Sequence, residues 1–476
     1  MAALLDLASE GLSPAALVAV LYCIPLLWSA RTLVTAILRL LGLWHPNHYR
    51  WWPRLPWRSV WIVVMYLKEW RELFRMGRKA TAGWVGIPAA LTMLYRPKKI
   101  LLGRMFGLGV GWLQPIGLKA TRHLAMFAMT GAGKTTFLVT LVSTWAGSCA
   151  IIDPKFQVTQ ALRRIRGKTW IVLDPYGLGG VPSAVWNVFD EVKAAIERDG
   201  WDCCVRWMQK VAESLVITSP GNRSPFFPDA ARQFVISLLL YILLCLPSEQ
   251  HNLVVFRRLL NRGHDDVASD PDEAFATLLY GMRQCDTFGG VVANGAAALE
   301  NMGNETRGNV LATAREATKW LDDPRVHRVV AGPSAALCAD LKTDDDLVFS
   351  LGAPVSAIRE ELAPFARLLT NTIIHVFETV RAPKRKPCLL AVDEMPAQGY
   401  NRAIETAAPV MRSYGLQLLA IAQDIAGVKA AYPTTWETFI SNADAVFWMA
   451  ANSQETISYL EKVLGTTTHL ETIDEA

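Results

Sequence analysis

Residues 128–135, Ala-Met-Thr-Gly-Ala-Gly-Lys-Thr, place the tightest constraint on the fold of this 476-residue chain. They follow the apolar run 124–128 and lead into another apolar run that begins at Phe137. A strand, a glycine-rich turn and a helix in that order form a phosphate-binding loop, because backbone N–H groups and the helix N-terminus close around an anion. The pattern therefore predicts an α/β fold with a nucleotide site. An incidental glycine-rich helix start is the alternative.

Each residue of this loop has an expected part. Lys134 is predicted to reach the β- and γ-phosphates of ATP, and Thr135 is predicted to hold Mg²⁺. Gly131 and Gly133 lie where the backbone bends most, whereas Ala128 stands where the usual pattern has its first glycine. The other residues predicted to line the nucleotide are Thr130, Ala132 and Thr136.

Length and composition limit what surrounds the loop. At about 150 residues per domain, the chain is expected to hold two or three domains. Its formal net charge of +5 is compatible with nucleic acid or an anionic membrane but requires neither. The eight cysteines are scattered without a C-x-x-C pair or a Cys/His cluster, which argues against structural zinc and indicates a reducing compartment.

The stretch 12–30 carries no charge and is close to the ~20 residues that a helix needs to cross a bilayer. The charged residues that precede it are both acidic, whereas arginines follow it, so the positive-inside rule places the rest of the chain in the cytoplasm. Those arginines are Arg31, Arg39, Arg50, Arg54 and Arg58. Residues 1–79 are predicted to form an N-terminal transmembrane region, with a buried helical hairpin of a soluble protein as the alternative.

An apolar run at 388–392 ends in two acids, Asp393 and Glu394. Such a run is typical of a buried parallel strand, and ligands bind at the carboxyl ends of such strands. A phosphate-binding loop needs a carboxylate there for Mg²⁺ and a group that acts on the attacking water. Asp393 is therefore predicted to organise Mg²⁺ and Glu394 to be the catalytic carboxylate; a turn or helix cap is the alternative.

Two further polar residues are candidates for this site. Gln423 closes the apolar strand 416–423 beside the one that bears Asp393, and it could contact the γ-phosphate or its water. A buried amide satisfied by the backbone is the alternative. Arg412 precedes that strand and could complete a neighbouring subunit's site, as arginine fingers do, although a surface arginine is equally compatible with the sequence.

The phosphate-binding loop and the acidic pair are farther apart in sequence than a minimal ATPase core requires. Strand-like runs at 148–153 and 169–174 follow the loop, but the pattern then becomes helical, as at 230–246 and 310–321. The sequence therefore predicts an all-helical domain, residues 191–330, inserted into an α/β domain made of residues 80–190 and 331–476.

Several motifs resemble those of the coupling proteins of bacterial conjugation and type IV secretion. The likeness is carried by Val-Asp-Glu-Met-Pro-Ala-Gln-Gly at 392–399 and by motifs elsewhere, in consistent order from about residue 95 to about residue 470. Those motifs lie at 152–155, 174–175, 186–187, 318–326, 411–417, 421–423, 436–442, 452–456 and 464–466. One departure is Lys155, which is followed by Phe156-Gln157 instead of the Gly-Glu common in that family.

The resemblance implies a RecA-like P-loop NTPase core with an inserted all-α domain, assembled as a homo-hexamer at the bacterial inner membrane with its catalytic domain in the cytoplasm. It implies ATP and Mg²⁺ as cofactors. The implied partners are single-stranded DNA, a relaxase or effector proteins, and inner-membrane components of the secretion channel. By position, the residues that correspond to the family's site are Gly131, Gly133, Lys134, Thr135, Asp393, Glu394 and Gln423.

Two other functions stay open on the sequence alone. One is a membrane receptor that binds nucleotide without hydrolysing it and serves as a docking platform for secretion substrates. The other is an FtsK-like duplex DNA pump, which is expected to carry a winged DNA-reading domain after the motor.

Overall fold

A seven-stranded sheet organises the part of the protein that the structure describes. The computed structural model describes residues 99–106, 113–163, 167–220, 224–267, 270–382 and 386–465, so the predicted anchor 1–79 lies outside the described residues. The strands are β1 (Ile100–Phe106), β2 (Leu113–Leu118), β3 (His123–Ala128), β4 (Cys149–Ile152), β5 (Thr169–Leu173), β6 (Leu347–Leu351), β7 (Cys388–Val392), β8 (Leu416–Ala422) and β9 (Ala443–Met449). The expected α/β class is confirmed.

The order of the strands brings distant parts of the chain together. Strands β1 and β2 form a separate antiparallel pair, and the large sheet has the order β5-β6-β4-β7-β8-β3-β9. All the strand pairs in the large sheet are parallel. Strand β8 therefore lies between β3, which leads into the phosphate-binding loop, and β7, which leads into the acidic pair.

The central strands are buried on both faces. Along β3, Leu124 and Met126 belong to one apolar cluster, while Ala125 and Phe127 belong to another, because successive side chains of a strand point to opposite faces. The first cluster includes helix α1 (Lys134–Thr144) and helix α2 (Gln157–Leu162). Burial on both faces explains why these strands read as continuous apolar runs.

The described residues between β5 and β6 form helices joined by loops and contain no strand. The helices are α3 (Val188–Asp199), α4 (Cys204–Leu215), α5 (Phe226–Cys245), α6 (Leu253–Arg262), α7 (Pro271–Arg283), α8 (Thr287–Glu300), α9 (Asn304–Ala317), α10 (Pro324–Val330) and the short α11 (Asp340–Thr343). The expected helix 230–246 is confirmed as α5. A separate domain at 191–330 stays a prediction, because the described residues all fall within one compact unit.

Helix α9 ends earlier than the sequence pattern indicates. The apolar periodicity predicts one helix across 310–321, but α9 ends at Ala317 and a 3-10 turn, Lys319–Asp322, follows. The buried guanidinium of Arg257 donates to the carbonyl of Arg315 at 2.6 Å and to the hydroxyl of Thr318 at 2.9 Å. The guanidinium thus occupies the carbonyl of Arg315, which would accept from the amide of residue 319 if the helix continued.

Helix α5 is, within the described ranges, the one helix long and apolar enough to cross a membrane by length and composition. Of its most apolar window, 61% is buried inside the protein. That burial is expected of a core helix, and α5 packs against α4, α8 and α9.

The remaining helices alternate with strands β6 to β9. They are α12 (Val355–Glu360), α13 (Ala363–Thr379), α14 (Arg402–Ala407), α15 (Ile425–Ala431), α16 (Glu437–Ser441) and α17 (Gln454–Leu464). Helix α13 is almost entirely buried and packs against α4, so it links the sheet to the helical part of the chain.

Candidate nucleotide-binding site

The loop between β3 and α1 has the backbone that the sequence predicts. Gly131 and Gly133 are left-handed, with φ of 85° and 94°. A β-carbon at either position would meet nothing within 4 Å, so the backbone conformation and not crowding requires glycine there. Ala128 is the last residue of β3 and has no left-handed backbone, which explains why alanine fits where the usual pattern has glycine.

Helix α1 offers the loop a set of free donors. It begins at Lys134, and the first amide to bond back within it is that of Phe137, 3.0 Å from the carbonyl of Gly133. The amides of the first turn therefore have no acceptor inside the helix, and the helix dipole adds partial positive charge at the same point. Thr130 and Thr136 are exposed on either side of this turn. An anion such as a phosphate fits here.

Lys134 and the acidic pair meet at the carboxyl edge of the sheet. The Nζ atom of Lys134 lies 2.9 Å from Oδ1 of Asp393 and 2.9 Å from Oε1 of Glu394. Glu394 has a left-handed backbone, with φ of 54°, and such strain in a non-glycine residue is often found at functional sites. Lys134 is far in sequence from the acidic pair, but its side chain and the two carboxylates face one space.

Gln423 joins this group from the end of β8. Its Nε2 donates to Oε1 of Glu394 at 3.0 Å, and the residue is exposed. The alternative of a buried amide satisfied by the backbone is therefore wrong. Because β8 lies between β3 and β7, Gln423 is placed between the phosphate-binding loop and the acidic pair.

The oxygen donors at this edge suit Mg²⁺ held together with a nucleotide. In the described ranges, no three carboxylate, histidine or cysteine side chains cluster closely enough to hold a metal by themselves. Mg²⁺ is usually bound by one or two protein oxygens plus phosphates and water. The hydroxyl of Thr135 and the carboxylate of Asp393 can supply such oxygens, and the Thr135 hydroxyl now donates to Oε1 of Gln157 at 3.0 Å.

Burial and neighbouring charges shift the ionisable groups differently. Burial lowers the pKa of Lys134, but the two carboxylates outweigh burial and hold that pKa above its ordinary value. Burial raises the pKa of Asp393, and Lys134 offsets only part of this increase. Burial also acts to raise the pKa of Glu394, but Gln423 and Lys134 outweigh it, so that pKa is lowered. Adjacent carboxyl groups shifted in opposite directions are suited to different roles.

Arg412 is not brought to this site. It lies in the 3-10 turn Met411–Tyr414, at the amino end of β8 and therefore at the opposite edge of the sheet. Its side chain is exposed. Within one chain Arg412 cannot act on the nucleotide bound here, and its part in a neighbouring subunit's site stays a prediction.

Three residues near the site were missed by the sequence reasoning. Arg359 of α12 lies 3.6 Å from Glu394, Gln157 of α2 accepts from Thr135, and Asp153 is buried where β4 ends. The run 152–155 already ends β4 in Asp-Pro-Lys, which is a signal for Asp153. Lys155 and Phe156, both left-handed, then turn the chain so that Gln157 begins α2.

Most of the chain matches a known protein family in sequence. Residues 93–473 match the family described as type IV secretory system conjugative DNA transfer. The chain belongs to this family. The match includes both the phosphate-binding loop and the acidic pair, and it confirms the resemblance to type IV coupling proteins that the motifs at 392–399 and elsewhere predict.

Curated proteins of conjugation and secretion are similar to this member of the family. The conjugal transfer protein TraG of Agrobacterium fabrum is 26% identical over 378 residues, which cover 76% of this chain and 54% of that protein. The type IV secretion system-coupling protein VirD4 of Bartonella quintana is 25% identical over 314 residues, which cover 63% of this chain and 46% of that protein. The chain thus spans about half the length of the curated relatives it matches.

Solved structures of the plasmid coupling protein TrwB share the fold. A trigonal form with sulphate superposes with a TM-score of 0.60 at 16% identity, covering 81% of this chain and 82% of that one. A complex of TrwB with ADP and Mg²⁺ gives a TM-score of 0.56 at 16% identity and covers 78% of each chain. At this level of identity, the likeness shows a common α/β fold.

Proposed function

We propose that this chain is the membrane-anchored ATPase of a type IV secretion or conjugation system. It hydrolyses ATP to deliver DNA, protein substrates or both toward the secretion channel. The observation that carries the proposal is the position of Lys134 Nζ, 2.9 Å from both Asp393 and Glu394 at the end of a phosphate-binding loop. A lysine and two acids that converge on one space are what a metal-bound triphosphate requires.

Each residue of the site has a proposed part in hydrolysis. Lys134 leaves the carboxylates and binds the β- and γ-phosphates. Thr135 and Asp393 would hold Mg²⁺, which when bound would neutralise charge on the phosphates. Glu394 accepts the proton of the attacking water. Gln423 holds Glu394 in place and contacts the γ-phosphate or the water. The complex of TrwB with ADP and Mg²⁺ supports the cofactors of this scheme.

The family and the sequence support the setting of this activity. The family's description, conjugative DNA transfer, supports DNA as a substrate, and the similarity to a secretion-coupling protein supports protein substrates. Stretch 12–30 anchors the chain in the bacterial inner membrane and leaves the ATPase in the cytoplasm. A homo-hexamer would allow the exposed Arg412 to act on the site of the next subunit.

Replacing Lys134 tests the proposal directly. The full-length Lys134→Ala variant, purified in mild detergent, is expected to fold and to lose ATP turnover by roughly a thousandfold, because the phosphates lose their lysine contact. Phosphate release with and without single-stranded DNA measures the effect. The matched control is Lys210→Ala, which removes a lysine paired with Glu213 on helix α4.

Two outcomes would contradict the proposal. Unchanged turnover in Lys134→Ala would show that hydrolysis does not use this site. ATP binding by the unaltered chain without turnover, even when single-stranded DNA or a secretion substrate is added, would support a docking platform in place of a motor.

A further inference from the structure

The two carboxylate oxygens of Glu394 are held by different groups. Oε1 receives both Lys134, at 2.9 Å, and Gln423, at 3.0 Å. Oε2 faces a third group, Nη2 of Arg359, at 3.6 Å. Arg359 belongs to helix α12, which follows β6 and is separate from the loops that carry Lys134 and Glu394. The arginine therefore contacts the acid from an independent element.

This division matters when nucleotide enters the site. The Nζ atom of Lys134 cannot stay on Glu394 while it binds the phosphates, so Oε1 loses its charged partner. The contact of Arg359 with Oε2 does not compete with this movement, because it uses the other oxygen. Once Lys134 has turned away, Arg359 is the positively charged side chain that remains beside Glu394 among the described residues.

We propose that Arg359 is a positioning residue that holds Glu394 through Oε2 while Lys134 binds the phosphates. The proposal rests on the hydrolysis of ATP at this site, and it adds a residue that acts through Glu394 without touching the nucleotide. In this arrangement Glu394 remains aimed at the water by Arg359 on one oxygen and Gln423 on the other. A misplaced general base loses much of its effect even when its chemistry is unchanged.

A purely structural role for the same contact predicts something different. The side chain of Arg359 is 52% exposed, and an ion pair of this kind adds little to stability because water screens it. A structural arginine would therefore change neither the turnover rate nor its response to added ligands. A positioning arginine would change the turnover rate much more than the affinity for ATP.

The surroundings of Arg359 allow a chemical test of its role. Its side chain lies on the wall of a cavity of about 1100 Å³ between the ends of helices α4, α9 and α13 and the turn Met395–Gln398. Trimming Arg359 to alanine would leave solvent-filled space beside Glu394. A free guanidinium ion is small enough to enter that space and take the place of the missing group.

The test compares full-length Arg359→Ala, Arg359→Lys and the unaltered chain. We expect kcat to fall roughly tenfold or more in Arg359→Ala, with KM for ATP changed by less than about threefold, because binding does not depend on Glu394. Arg359→Lys should recover part of the loss. Guanidinium chloride, well below denaturing concentrations, should raise kcat of Arg359→Ala, while sodium chloride at equal ionic strength should not.

The matched control is Arg328→Ala, since Arg328 is an exposed arginine of helix α10. It should keep normal kcat and show no response to guanidinium. If the unaltered chain hydrolyses ATP and Arg359→Ala does so at the same rate, the positioning role is overturned while the proposed function stands. A fall in kcat that neither lysine nor guanidinium reverses would also overturn it. Absence of turnover in the unaltered chain would instead count against the proposed function itself.

Discussion

Lysines at the two edges of the sheet have different partners. At the carboxyl edge, Lys134 faces the carboxylates of Asp393 and Glu394. At the amino edge, Lys342 of α11 donates to the backbone carbonyls of Phe377, at 2.8 Å, and Val380, where helix α13 ends. Carboxylates can be exchanged for the phosphates of a ligand, whereas the last carbonyls of a helix cannot. The arrangement around Lys134 therefore suits a ligand-binding site, and the arrangement around Lys342 suits a structural role at the end of α13.

A neighbouring lysine at the amino edge follows the second pattern. Lys168 donates to the carbonyls of Asp345, at 2.9 Å, and of Gly147. These carbonyls precede β6 and β4, so this lysine ties together the starts of two strands. The comparison implies that substitutions at the carboxyl edge change turnover, while substitutions at the amino edge change stability.

The largest effect is expected at Glu394. Glu394→Gln keeps the shape of the side chain but removes its ability to accept a proton, so turnover should fall by about 10²- to 10⁴-fold while ATP still binds. Single-turnover hydrolysis and retention of labelled ATP measure the two properties. Glu437→Gln, an exposed position on α16, should behave like the unaltered chain. Turnover within twofold of normal in Glu394→Gln would remove Glu394 from the chemistry.

At the amino edge, Lys342→Met tests the other half of the comparison. Methionine keeps the apolar stem but leaves the carbonyls at the end of α13 without their charged donor, and Lys342 is 6% exposed. We expect the free energy of unfolding to fall by about 2 to 4 kcal/mol, with normal turnover of the folded fraction. Urea unfolding and phosphate release measure the two quantities.

The control for Lys342→Met is Lys210→Met, on the surface of α4, which should leave the unfolding midpoint unchanged. A Lys342→Met variant with normal stability but reduced turnover and reduced affinity for ATP would contradict the structural role of this lysine.

The sequence predicts those parts of the site that depend on local pattern. The glycines at 131 and 133 and the acids after β7 can be found from the sequence because strand, turn and helix each leave a local pattern of residues. The parallel sheet then brings their ends to one edge. Gln423 was found for the same reason, since it closes an apolar strand.

The missed residues depend on contacts between separate elements. Arg359 lies in a six-residue helix with no motif, and its approach to Glu394 depends on how α12 packs after β6. Gln157 reaches Thr135 only because Lys155 and Phe156 turn the chain through left-handed angles. Similarly, the end of α9 depends on Arg257, which comes from another helix. No local pattern of residues records such contacts.

Asp153 offers the smallest effect and sharpens the comparison, because it is an acid of the carboxyl edge that no lysine holds. Its Oδ2 accepts from the amide and hydroxyl of Thr159, both at 2.9 Å, and burial raises its pKa from 3.8 to about 6. The folded protein therefore keeps a proton that the unfolded chain releases, so this stabilising contribution is complete below pH 4 and is lost as pH rises to about 6.

Asp153→Asn cannot titrate. We expect the free energy of unfolding of Asp153→Asn, minus that of the unaltered chain, to increase by about 1 to 3 kcal/mol from pH 4 to pH 7. Urea unfolding at each pH measures this difference. The difference between the two proteins is needed because His375, with a pKa lowered to about 4, titrates in the same range with the opposite sign. Parallel stability curves would show that Asp153 is ionised in the folded protein.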